Sequence, residues 1–261
     1  MVARLRGVRL KIERAKFQCD ALENEIKAWV ESQRSHVAFE HERDTGWHRL
    51  IVRMDADPDP PPMWGVIVGE IIHDLRSALD HTVWELVIAN KGRPERNRNQ
   101  FPIFSHPPKR VADYTKCVRG VDPRAQAIIE GLQPYTRPKR ATPELIEVLG
   151  GMSNIDKHQT LHPTVVVASR INSANVDFAP QGLHRVAEMR WDKSLGQPIR
   201  NAELWAVRIE PPETEVQMKV NLQIPAGVAF GERYPMEVLK LNELVTEVGR
   251  IVDLLEPFAS K

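Results

Sequence analysis

Twelve consecutive residues, Glu70 to His81 (EIIHDLRSALDH), carry two histidines, one arginine and three carboxylates inside an otherwise apolar helical run. A second cluster, SNIDKHQTLH, supplies Asn154, Asp156, Lys157, His158 and His162. A histidine that titrates near neutrality can take or return a proton, while a permanently charged arginine holds an oxyanion as negative charge builds. Arg76 and His81 are the pair suited to that work, with Lys157 as a second cation and His158 as a second acid. Five helical positions set Arg76 and His81 about 140° apart. One shared site therefore needs the long arginine to reach around the helix, or two protomers to bring their helices together. The competing structural reading is an Arg76–Asp80 ion pair at i,i+4, a common device on helices.

The same stretch admits a metal. Glu70-x-x-His73 has the i,i+3 spacing with which helical bundles ligate ions, and His158-x3-His162 is an i,i+4 pair on a helix. With Asp74 they would form a site for a divalent transition metal. A dimetal bundle repeats its Glu-x-x-His on a second helix, and this sequence has one copy, so the reading without a cofactor is preferred. A third alternative is a non-enzymatic interaction protein anchored by Trp29, Trp84 or Tyr135.

These residues need helices to hold them. Val68, Ile71, Ile72, Leu75, Leu79, Thr82, Val83 and Leu86 fall on one side of a helix predicted from Trp64 to Asn90, and the polar cluster falls on the other. A second helix is expected from Thr142 as N-cap and Pro143 at the first helical position, with a break at Gly150-Gly151. His81 and His158 should then face one cleft from neighbouring helices, with His73 and Asp74 on its rim. Val8, Ile12, Ala15, Cys19, Leu22, Ile26 and Trp29 recur as a heptad seam on a long N-terminal helix. A C-terminal helix repeats the spacing through Leu241, Leu244, Val248, Ile251, Val252 and Leu255. A β-hairpin around Asp44-Thr45-Gly46 spans about 36–54, the proline run from Asp57 to Pro62 is a stiff connector, and a short helix is expected near Pro123 to Leu132. TVVVAS, AELWAVRIE and EVQMKVNLQIP read as strands. The fold class is α+β: a helical bundle with an antiparallel β region. Residues 1–162 make the helical part with the hairpin inserted, and 163–261 a strand-rich region closed by the C-terminal helix, together one compact unit.

The chain has 261 residues, 42% hydrophobic and 27% charged, with a formal charge of +1. No global field draws in a polyanion, so one would have to be met by a local patch, for which NKGRPERNRNQ (Asn90 to Gln100) is the candidate, with a solvated loop as the alternative reading. Two distant cysteines, Cys19 and Cys117, point to free thiols in a reducing cytoplasm, and no apolar run is long enough to span a bilayer. Walker, GxGxxG and GxSxG motifs are absent, which excludes P-loop, Rossmann and serine-hydrolase readings.

GEIIHDLRSALDH with NIDKHQTLH resembles a group of uncharacterised bacterial proteins that pair an LRSALDH helix with a later N-x-DKH segment, over Trp64 to His162. Arg76-Ser77-Ala78-Leu79-Asp80-His81 also resembles the R-x4-H signature of the HEPN helical-bundle family. That second resemblance implies a metal-independent endoribonuclease or RNA-binding protein of a toxin or defence type, acting as a homodimer.

Overall fold

The computed structural model describes residues 3–32, 35–54, 59–137, 144–167, 174–180, 185–191, 202–212, 216–222, 226–231 and 236–259. The fold is α+β with antiparallel sheets, and it divides into two compact units. One, mainly helical, comprises Met1–Glu23, Pro62–His162 and Gly231–Lys261; the other, mainly strands, comprises Asn24–Pro61 and Pro163–Phe230. This differs from the expected division at residue 162. The hairpin pairs with a later strand rather than serving the helical part, and the C-terminal helix packs among helices rather than closing the strands.

The helical unit is built on α2 (Met63–Ala89), whose apolar side from Val68 to Val87 is almost wholly buried. Against it lie α5 (Leu145–Asp156) and α6 (Val238–Ala259). All six apolar positions anticipated on α6 are fully buried, because a 3.6-residue repeat keeps them on one face. The N-terminal helix α1 (Arg6–Ser32) buries Val8, Ala15, Cys19 and Leu22 of its seam within the chain. Charges fix its position: Lys11 Nζ donates to Asp74 Oδ1 at 3.1 Å, Arg14 to Glu70 at 3.0 Å, and Arg9 pairs with Glu256 of α6 at 2.7 Å. Two short helices complete the unit. α3 (Val111–Thr115) carries no sequence signal strong enough to announce it, whereas α4 (Pro123–Gly131) starts as expected, with Asp122 capping the Arg124 N–H at 2.9 Å.

In the strand unit, β1 (Ser35–Glu42) and β2 (Trp47–Met54) form the hairpin, and Gly46 takes the positive φ of +74° that its turn requires. A four-stranded antiparallel sheet runs β1-β2-β6-β5, with β5 at Arg185–Trp191 and β6 at Ala202–Glu210. β3 (Pro163–Val167) pairs with β8 (Ala226–Phe230), and β4 (Ala174–Pro180) with β7 (Val216–Leu222). Trp205, Val207 and Ile209 are buried at the period of two along β6, and Ala206 between them is buried as well. Among the described residues no helix is long and apolar enough to cross a membrane.

Candidate functional site

Helix α2 lets the end of α5 and the chain that follows it approach closely, because it presents two glycines one turn apart. A Cβ on Gly65 would lie 1.8 Å from the Leu161 carbonyl oxygen, and one on Gly69 would lie 2.2 Å from Asp156 Oδ1. Gly150 does the same for the other side of α5, where a Cβ would meet the Ile103 side chain at 2.9 Å. The Gly150-Gly151 pair, expected to break the helix, instead lies inside an uninterrupted α5, with Gly150 closely packed. Thr142 and Pro143, expected as its cap, lie outside the described residues, and Glu144 occupies the N-cap position.

The early end of α5 at Asp156 overturns the His158–His162 pair. Neither residue is helical: His158 donates its backbone N–H to Ile155 O in the closing turn, and His162 sits in the extended run entering β3. The shared His81–His158 cleft fails for a related reason. Asp156 packs at Gly69, and His81 lies twelve residues further along α2, about 18 Å of helix axis. His81 and His158 are both exposed, and neither lines the clefts described below.

Two clefts flank the α2–α5 contact. The first, of about 250 Å³, brings the two sequence clusters together: Arg76 from α2 meets Ser153, Asn154 and Lys157 from α5, with residues 100–104 and Cys117 completing the wall. That wall is held by side chains remote in sequence. Asp80 Oδ1 accepts the Phe101 N–H at 2.8 Å, and Arg76 Nη2 donates to the Phe101 carbonyl at 2.8 Å while pairing with Asp80 at 2.9 Å. Gln133, fully buried, donates to Pro102 O at 2.8 Å and accepts from the Phe104 N–H at 3.1 Å. The Arg76–Asp80 ion pair anticipated from spacing is thus present, and it grips a backbone segment that spacing could not reveal.

Burial pushes the Asp80 carboxyl above its ordinary value, against the opposing pull of Arg76, the Phe101 N–H, Lys157 and His81. Arg76, Lys157 and His81, three of the four residues assigned to catalysis, therefore all act on one carboxylate. The Lys157 and Asn154 side chains are exposed, with no hydrogen bond or ion pair among the described residues. Burial likewise raises the Cys117 thiol, which is free but unreactive in its wall.

The second cleft, of about 410 Å³, gathers Glu70, His73, Asp74 and Asp156 with Arg14. Here the metal alternative meets competition, since Lys11 and Arg14 already engage Asp74, and Arg14 and Gln18 engage Glu70. Among the described residues no group of three or more His, Cys, Asp or Glu is arranged to hold an ion.

Gln133, Gly65 and Gly69 are the site-building residues that sequence reasoning passed over, and Gly150 is one that it read as a break. GVIVG, two glycines at i and i+4 in an apolar helix, was the available signal for the first close approach. In comparisons with known proteins, no family model, no curated protein and no solved structure matches the chain.

Proposed function

We propose that the helical unit binds RNA, seating a phosphate in the cleft between Arg76 and Lys157 beside the Asn154 amide, in the manner of a HEPN-like protein. The observation that carries this reading is the convergence of the two chemistry-bearing segments on one cleft whose cations outnumber its acids, with Lys157 left uncommitted. A planar guanidinium held by Asp80 is preorganised, so its remaining donors bind phosphate oxygens with little loss of side-chain freedom. The same geometry suits metal-independent cleavage, because the two cations stabilise charge developing on phosphorus without a bound ion. His81 is the acid or base of that reaction. Its exposure on α2 leaves it accessible to a second copy, which supports a homodimeric assembly of this type.

The test is incubation of the purified protein with single-stranded RNA in excess chelator, followed by analysis of the product ends. Products ending in 2′,3′-cyclic phosphate, lost in His81→Ala with its melting temperature unchanged, are the expected result. Cleavage that needs added metal, or survives His81→Ala, contradicts the catalytic assignment.

A further inference from the structure

The basic segment after α2 folds back against residues 117–120, beside the first cleft. Asn99, buried, fastens it: Nδ2 donates to Cys117 O at 3.3 Å and Arg119 O at 2.9 Å, while Oδ1 accepts from the Glu95 N–H at 2.8 Å. Asn90 Nδ2 adds a bond to Gly120 O at 3.1 Å, and Gln100 N donates to Cys117 O at 3.2 Å. Residues 91–99 and 116–120 are therefore joined into one surface region. Together they carry Lys91, Arg93, Arg96, Arg98, Lys116 and Arg119 against one carboxylate of their own, Glu95, an excess of five positive charges within these segments in a chain whose total is +1. Glu95 is shared by Arg98 at 3.1 Å and Arg119 at 3.8 Å, and Lys116 pairs with Asp113 at 3.3 Å. Lys91, Arg93 and Arg96 are exposed and make no ion pair among the described residues.

Such a concentration repels itself unless a polyanion or counterions cover it. Gln100, which follows the first segment, and Cys117 of the second also line the cleft, so this region borders it. None of the large exposed apolar side chains among the described residues lies on these segments, and a membrane-binding surface would use some. We infer that this region is a track for the phosphates flanking the one held in the cleft, so that the protein binds an extended RNA strand rather than an isolated nucleotide. This rests on the cleft being a phosphate site.

Affinity should be measured against salt for a fluorescent twelve-nucleotide RNA, and separately for a dinucleotide monophosphate that fills only the cleft. Arg93 and Arg96 have no partner to lose, so Arg93→Ala/Arg96→Ala should melt like the wild type. The expected result is at least a tenfold loss of twelve-mer affinity, with the salt slope smaller by about 1.4, or roughly 0.7 for each phosphate contact removed from a single strand. Dinucleotide binding should change less than twofold. Unchanged twelve-mer affinity and slope in the double variant overturn the track, as does a wild-type protein that binds both RNAs equally. Arg93/Arg96-dependent binding to phosphatidylserine vesicles as strong as to RNA overturns the assignment of the partner. Failure of the dinucleotide alone to bind refutes the cleft reading instead.

Discussion

Asp80 shows at the scale of one residue how this site is maintained at a cost. Its carboxylate is needed to hold the Phe101 N–H and to orient Arg76, yet burial raises its pKa. A carboxyl whose folded pKa lies above its unfolded one keeps its proton longer in the native state, so stability falls as pH rises from the ordinary aspartate range through the raised value. Asp80→Asn retains an oxygen for Phe101 and cannot ionise. Chemical denaturation across that window should show wild-type stability declining with pH relative to Asp80→Asn; parallel curves would mean that the carboxylate is not penalised. Asp80→Ala leaves the Phe101 N–H without its acceptor and should cost about 1–3 kcal/mol at any pH. Spacing made the Arg76–Asp80 pair readable in advance. Its backbone client was not, because Phe101 lies more than twenty residues away in a segment with no periodicity.

At the scale of elements, the contact between α2 and α5 depends on what α2 lacks. Gly69→Ala sets a methyl against the Asp156 carboxylate, while Gly65→Ala sets one against the Leu161 backbone. A flexible carboxylate can be removed and a backbone carbonyl cannot. Each alanine should cost about 1–3 kcal/mol by overpacking. Asp156→Ala should restore much of the loss in Gly69→Ala and none in Gly65→Ala, which urea denaturation of the single and double variants will check. If both glycine variants respond alike, the helices approach differently from the geometry described. The helices themselves were legible, since burial of Val68 to Leu86 on α2 and of Leu241 to Leu255 on α6 follows directly from hydrophobic period. The end of α5 was misplaced. Lys157, His158 and Gln159 carry no stop signal, and the chain turns there because Leu161 is drawn into the core beside Gly65.

At the scale of the molecule, the chain crosses between its two units more often than its linear pattern suggests. The hairpin lies early in sequence but pairs with β6 through Trp47–Arg208 and Leu50–Trp205. Strand pairing over such distances leaves no local trace, whereas each strand announces itself by alternation. The first cleft draws every wall from the helical unit: α2, the 100–104 segment, the α3 region and α5. Its proposed role therefore does not require the strand unit, and the central claim reduces to whether that cleft holds an RNA phosphate. Fluorescence anisotropy of labelled RNA titrated with wild-type protein and with Lys157→Ala, each at several salt concentrations, addresses it most directly. The account predicts at least a tenfold weaker affinity for Lys157→Ala, a salt slope smaller by about 0.7 and a nearly unchanged melting temperature, because the exposed Lys157 side chain makes no hydrogen bond or ion pair among the described residues and acts on Asp80 only at longer range. Equal affinity and slope for the two proteins, or no binding by the wild type at low salt, would contradict it.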